Sequence, residues 1–494
     1  MSAPHSSAPH SSAPHSSAPH IPVLRAGVEY TSLDQTEISG IGSDKILARI
    51  SQCNAGMIKR DLRRQHAAAK KLRELSSEQL LEICKKAGQL FLHGELPLNS
   101  EGDTQTADQY IATLSQTSGL PHVLVRRNMQ KIFTVFDGMA GILNGLMRGM
   151  SPKVVETGFG EHDGIPVHYS PTTNALGVVL PSNSPGVNSI WMPSLALGIP
   201  VVLKPGREEP WTPLRIMRAF IAAGCPAEAF SFYPTDHEGS AVILERCGRT
   251  LLFGDVTVTD AYAHDIRVQI HGPGRSKVLI GADQIDNWRD HLHVLVDSVA
   301  ANGGRSCINA SSILVPSHGD EIAAALAQEL AGHKPCAPAD DAATLSAFAN
   351  RKFAEFIDAK IDADVQAGGA QDVSSKHRGT KRAQELAGAP YLLPTIVRCD
   401  SIEHPLAKTE FLFPFSSVVE VPQAQMAEVM GPSLVVTAIT RDQQLVDDLT
   451  RSHNVDRLNL GPVATSHVEW DQPHEGNLFE FLYERRAIQR AKAW

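Results

Sequence analysis

Long apolar runs are missing. Runs such as Leu176 to Leu180 and Val201 to Leu203 fall far short of the roughly 18 residues a membrane helix needs, and no charged-then-apolar leader opens the chain. The expectation is a cytoplasmic protein with no membrane span. Paired cysteines are missing too: Cys53, Cys84, Cys225, Cys247, Cys307, Cys336 and Cys399 are odd in number and contain no C-x-x-C, which suits a reducing compartment. Positive charge is scarce, 45 Lys plus Arg against 54 Asp plus Glu for a net charge of −9. That argues against a dominant phosphate-binding surface and against nucleic acid as partner. Finally, no Gly-x-Gly-x-x-Gly follows any candidate strand, and Gly272-Pro-Gly274 lacks the third glycine, so a nucleotide, if bound, takes an atypical route.

What is present is an enzyme-sized body. With 494 residues, 42% hydrophobic and 20% charged, the chain is long enough for about three domains or subdomains. A Ser-Ala-Pro-His repeat places His5, His10, His15 and His20 in a proline-punctuated tail with little to bury, read as disordered over 1–24. From Lys45 to Met150 the pattern is mostly helical. Ser76-Ser-Glu-Gln79 has the form of a capping box, and Leu80, Ile83, Cys84, Ala87, Leu90 and Phe91 follow at helical spacing.

Past Val167 short apolar strands alternate with helices. Candidate strands are Leu176 to Leu180, Val201 to Leu203, Phe230 to Tyr233, Leu251 to Phe253 and Lys277 to Ile280, with helices near 186–197, 212–223 and 237–247. This rhythm builds a parallel sheet covered on both faces. A second alternating unit starts near Ser311, with strands at Ser311 to Val315, Ser416 to Val421, Leu434 to Ile439 and Arg457 to Leu460 and helices near 319–331, 341–357 and 441–452. The polar stretch from Asp362 to Gly388 reads as a surface excursion.

One cysteine stands apart. Trp288, Leu292, Leu295, Val296 and Val299 keep a helical period, Asn302-Gly-Gly304 supplies a stop, and Arg305-Ser-Cys307 follows before the next strand. A thiol in a glycine-rich turn is reachable by a substrate, whereas a cysteine within a periodic apolar run, such as Cys84, is core. His291-x-His293 points its rings to different helix faces and is no ligand pair, so no metal is expected.

The stretch Asn302-x-Gly304-x-x-Cys307 resembles the nucleophile segment of the aldehyde dehydrogenase superfamily. Leu176-Gly-Val-Val-Leu-Pro-Ser-Asn183 resembles its strand and loop ending in a catalytic asparagine. Val201-Val-Leu-Lys204-Pro resembles its cofactor strand with a ribose-contacting lysine, and Glu410-x-x-x-Pro414 its Glu-x-Phe-x-Pro, with Leu412 where phenylalanine is usual. The likeness runs from about Lys45 to Arg490. It implies an aldehyde-dehydrogenase-like α/β fold of two parallel-sheet domains: a helical layer and NAD(P)-binding domain over 25–282, with an oligomerisation arm at 153–170, a catalytic domain over 283–462 and a C-terminal return over 463–494. By the same resemblance Cys307 is the nucleophile and Asn183 the oxyanion donor. Pro181, Ser182, Lys204, Phe253, Gly254, Gly274 and Glu410 hold NAD or NADP, and the chain forms a homodimer or homotetramer. Asn183 read alone also suits a loop amide that caps the next helix. Arg207, Glu208 and Glu209 after Lys204 leave both dinucleotides open.

One departure is informative. Where the family's hydrolytic members carry a glutamate in Glu-Leu-Gly-Gly-Lys, this chain has His271-Gly-Pro-Gly-Arg-Ser-Lys277. Water attacking a thioester gains about 10²- to 10⁴-fold from a positioned base, and a thiol needs less help. The expectation is therefore the acylating branch, an acyl-CoA reductase with coenzyme A as cosubstrate; His271 reads either as a base or a thiolate partner or as a histidine that only packs at the end of the strand Arg267 to Ile270. The alternatives are a hydrolytic aldehyde dehydrogenase and a catalytically idle relative that binds a nucleotide. The segment Trp470 to Gly476 carries no assigned role.

Overall fold

The computed structural model describes residues 18–489. The repeat histidines His5, His10 and His15 lie outside the described residues. His20 does not belong to a tail: His20–Ile21 and Val23–Arg25 are strands. The expected tail boundary at residue 24 is too late, because Ile21, Val23 and Leu24 are fully buried and this short apolar run is enough to dock the chain on the body.

Two seven-stranded sheets organise the molecule. In the first, the parallel strands run Val268–His271, Arg249–Phe253, Leu176–Val179, Val201–Lys204 and Phe230–Phe232, and Val23–Arg25 and Val28–Tyr30 extend the last edge antiparallel. The chain starts at Leu176–Val179, builds two strands to one side and then returns to build two on the other. The carboxyl ends of Leu176–Val179 and Arg249–Phe253 thus flank a topological switch point, where open α/β sheets leave a crevice for ligands.

The second sheet runs Ala370–Asp372, Thr395–Cys399, Phe415–Glu420, Ala310–Val315, Ser276–Ile280, Ser433–Ile439 and Val455–Leu460, parallel except for its first pair. Ser276–Ile280 belongs to this sheet. The chain therefore leaves the first sheet at His271 and enters the second at Ser276, and the expected division at residue 282 falls one strand late. Periodicity cannot reveal which sheet a buried strand joins.

The stretch 362–388 is ordered structure, not an excursion. The end of the helix Arg351–Gln366, the edge strand Ala370–Asp372, the short helix Ser375–Arg378 and the strand Ala383–Leu386, paired with Ala389–Leu392, account for most of it. Its polarity serves ion pairs: buried Arg382 reaches Asp358, Asp362 and Asp372 at 2.6–2.9 Å. The helix expected near 341–357 begins only at Arg351, capped by Asn350.

Around the first sheet pack the long helices Ser77–His93, His122–Asp137 and Trp211–Ala222, with a core that includes Phe91, Phe136, Phe220 and Phe230. Ser76 and Gln79 form the expected capping box. Within the mostly helical segment, Ile46–Ser51 is a strand. Phe159–His162 and Ile165–Pro171 form a hairpin joined by Tyr483–Arg485, so residues near the C-terminus complete the arm. Among the described residues no helix is long and apolar enough to cross a membrane.

Candidate functional site

The loop carrying Cys307 is shaped by three consecutive left-handed residues, Asn302, Gly303 and Gly304, with φ of 54°, 66° and 69°. This conformation suits glycine and asparagine, and at Gly304 a side chain would also collide with the backbone of Phe413 and Pro414. Asn302 is fixed from both sides: Asn128 Nδ2 donates to its Oδ1 at 2.7 Å, and its Nδ2 donates to Ser184 Oγ at 3.1 Å. Next comes Arg305, whose buried guanidinium donates to the carbonyls of Ser118 and Ala347 and lies 5.5 Å from the Phe348 ring centre. Burial lowers its pKa to about 10. Among the described residues no carboxylate pairs with it, and main-chain carbonyls together with the Phe348 ring face the charge.

Cys307 is half-buried and precedes the strand Ala310–Val315, at the amino edge of the second sheet. It faces the carboxyl edge of the first. There a cavity of about 420 Å³ brings Cys307 together with Pro181, Ser182, Asn183, Phe253, Gly254, His271 and Glu410. Asn183 Nδ2 donates to the Arg305 carbonyl at 2.9 Å, while its buried Oδ1 has no partner. It is no helix cap, since the short helix Pro185–Ile190 starts at Ser184 without a side-chain cap.

Glu410 accepts the Arg275 N–H at 2.6 Å, and burial raises its pKa to about 8 against that hydrogen bond. Gly274 does not line the cavity. A Cβ there would overlap the Cys307 carbonyl and come within 2.8 Å of its carbon, so this glycine lets the Cys307 loop rest on the link between the sheets. Lys204 lines a neighbouring cavity of about 540 Å³ with Arg207, Asp236 and His237, and Glu208 lines both spaces. Burial lowers the Lys204 pKa with Glu208 opposing.

Two groups near the thiol were not singled out by the sequence. Glu475 receives a hydrogen bond from His271 Nδ1, and its main-chain carbonyl receives one from Gln269 Nε2. The His271 ring stacks on Phe253 with centroids 4.4 Å apart and planes 15° apart. Lys131 acts on the Cys307 thiol from the helix His122–Asp137. Burial pushes that thiol well above its ordinary range, the charges of Glu475 and Glu410 push it further, and Lys131 opposes them. The signal for Glu475 was faint: a carboxylate before Gly476 in a loop of otherwise ordinary wording.

The architecture recurs in solved structures. Aldehyde dehydrogenase 21 of Physcomitrella patens, in complex with the product succinate, superposes with a TM-score of 0.74 at 16% identity, covering 95% of this chain and 98% of that one. An indole-3-acetaldehyde dehydrogenase complexed with NAD+ gives 0.77 at 15% identity, covering 94% and 95%. In sequence, a protein of Staphylococcus haemolyticus named "putative aldehyde dehydrogenase" is 23% identical over 310 residues, 58% of this chain. The match spans 63% of that relative's length. Residues 32–431 match the model of the aldehyde dehydrogenase family, and with that span, the most of its length, the chain belongs to the aldehyde dehydrogenase family.

Proposed function

We propose that the chain is an NAD(P)-dependent oxidoreductase that interconverts an aldehyde and an acyl thioester through a covalent bond to Cys307 Sγ, with a thiol such as coenzyme A as acyl acceptor. The observation that carries this reading is the convergence of Cys307, Asn183 and Glu410 on one cavity whose first-sheet wall ends in an imidazole, at His271, where a carboxylate would serve hydrolysis.

The Cys307 thiol gives up its proton to solvent as its sulfur attacks the carbonyl carbon, and the oxygen gains negative charge. Asn183 Nδ2 has two hydrogens; Arg305 takes one, and the other remains for that oxygen. Such a donor is worth roughly 3 kcal/mol of barrier. The neighbouring space fits a dinucleotide. It opens at the carboxyl ends of parallel strands, shares Glu208 with the Cys307 cavity, and offers Lys204, whose ammonium has no hydrogen bond or ion pair among the described residues. When bound, the cofactor exchanges a hydride with the carbon attached to sulfur. Pro181, Ser182, Phe253, Gly254 and Glu410 would hold its reactive end, Lys204 its sugar, and Arg207 beside Glu208 accommodates either NAD or NADP. A thiol acceptor is partly ionised near neutral pH and intrinsically nucleophilic. The hairpin Phe159–His162 and Ile165–Pro171 would serve a homodimer or homotetramer.

A second reading, oxidation of aldehydes to carboxylic acids with water as acceptor, is favoured by the carboxylate of Glu475 behind His271. The test is to mix the protein with reduced NAD or NADP and a panel of acyl-CoAs, following cofactor absorbance and thiol release. Cofactor consumption with one CoA released per turnover, lost in Cys307→Ala, supports the first reading. Aldehyde oxidation independent of coenzyme A, with no acyl-CoA reduction, overturns it in favour of the second. Activity that survives Cys307→Ala overturns both.

A further inference from the structure

We propose that Glu475 is the positioning residue of a carboxylate–imidazole pair in which His271 Nε2 takes the proton from the acyl acceptor attacking the Cys307 thioester. This rests on the reading above that Cys307 carries the acyl group, and it holds for either acceptor.

The pairing sets the roles the proposal needs: toward a carboxylate that accepts, Nδ1 of His271 donates, and in the neutral ring Nε2 then keeps its lone pair. His271 is only 5% exposed, yet its buried Nε2 has no hydrogen-bond partner among the described residues. A histidine that merely tied the C-terminal loop to the sheet would leave this atom an unexplained orphan. The same residue lines the cavity that holds Cys307, and stacking on Phe253 fixes its ring plane.

The loop is built to deliver the carboxylate. Glu475 adopts a left-handed φ of 51° and Gly476 one of 104°. Non-glycine residues hold such conformations where the surroundings over-determine them, commonly at functional sites. Here Gln269 and His271, two residues apart on one strand, grip respectively the main chain and the side chain of Glu475. A side chain on Gly476 would come within 2.8 Å of Gln269 Nε2, so the glycine permits the approach.

The surrounding titratable groups are otherwise engaged. His474 Nδ1 lies 3.2 Å from Arg457 Nη1, and burial, followed by the charge of Arg457, holds the His474 pKa well below the ordinary histidine value. Glu410 is occupied by the Arg275 N–H. Asp456 is driven toward its neutral form by burial and by Glu475, with His271 opposing. Among the titratable residues that line the cavity, His271 is the one with a buried ring nitrogen that has no hydrogen-bond partner among the described residues.

The step balances without a further reagent. As the acceptor's sulfur or oxygen bonds to the thioester carbon, its proton passes to Nε2 and the negative charge settles on the carbonyl oxygen. The C=O bond then re-forms and the C–Sγ bond breaks. Cys307 leaves as thiolate, and the proton on Nε2 returns to it or to solvent. Glu475 stays ionised and offsets the imidazolium charge.

The experiment uses the full chain, oxidised NAD or NADP, and hexanal or benzaldehyde as probe, with and without coenzyme A. Rapid mixing separates the first-turnover burst of reduced cofactor from steady-state turnover, and intact-protein mass detects the acyl adduct. His271→Asn should keep a burst of about one equivalent, lose about 10²- to 10⁴-fold in steady-state rate and accumulate the adduct on Cys307. Glu475→Gln should show the same split with a loss of at least about tenfold, and Glu475→Asp, which keeps the charge, should recover most of it. A Glu475→Gln enzyme with unchanged turnover overturns the proposal. So does one in which burst and turnover fall together without adduct, the result expected of a merely structural loop. Absence of any burst or adduct in the unmodified protein overturns instead the reading on which this one rests.

Discussion

Asn183 offers the sharpest separation of scaffold from chemistry, because one of its amide hydrogens is already spent. Nδ2 donates to the Arg305 carbonyl at 2.9 Å, and Oδ1 has no partner. Replacing Asn183 by Ala therefore does two things of predictable size. It strands a buried carbonyl two residues before the nucleophile, at a cost of roughly 1–3 kcal/mol if no water replaces the bond. With about 2–4 °C lost per kcal/mol for a unit of 150–250 residues, the melting temperature should drop by several degrees. It also removes the hydrogen left for the oxyanion, which should lower kcat by about 10²- to 10³-fold with little change in KM. Calorimetry reads the first effect, and stopped-flow absorbance of the reduced cofactor at saturating aldehyde reads the second. A variant that melts lower while its hydride step stays within about threefold of the unmodified protein would show Asn183 to be a tether alone and would refute its place in the oxyanion site.

Three further outcomes follow from the same packing. Gly274→Ala should abolish activity while both sheets persist by circular dichroism, since the added carbon overlaps the main chain of Cys307 and pushes the nucleophile out of register. Arg305→Lys keeps a charge but loses the fork shared by Ser118 and Ala347, and should destabilise by about 2 kcal/mol in urea titration, hydrogen bonds from charged groups being worth about 1.5–3 kcal/mol. Burial raises the Glu209 pKa to about 8 from an ordinary 4.5, against its hydrogen bonds from Thr212. The folded state then binds more protons than the unfolded one between those values, so stability falls as pH rises through that window. Glu209→Gln should flatten the fall and melt higher than the unmodified protein at pH 9, and equal pH slopes for the two would contradict a buried, protonated carboxyl.

Much of the fold was legible because burial leaves periodic traces. The alternation of short apolar strands with helices gave both sheets, and the capping box at Ser76 marked a helix start that the structure keeps. What the sequence hid is whatever depends on pairing across long separations. Ser276–Ile280 reads like its predecessors and joins the other sheet. The segment around Arg382 looks like solvated loop because its carboxylates neutralise a buried guanidinium. Within the candidate site, the Asn-Gly-Gly stop advertised Cys307, since only a backbone demand explains that triplet. Glu475 stayed invisible, because a lone carboxylate acquires meaning only when the chain returns 204 residues after His271.

That late return sets an order of events at the ribosome. His271 is made first, then Cys307, and Glu475 comes 168 residues after the thiol, which at about 5–20 residues per second is roughly 8–34 s later. Tyr483–Arg485, the strand that fastens the end of the chain to the arm, is later still. A nascent chain therefore displays its sulfur before the carboxylate that pairs with His271 has been synthesised. Translation halted in that interval would leave a polypeptide that carries Cys307 but not the loop that hydrogen-bonds Gln269 and His271.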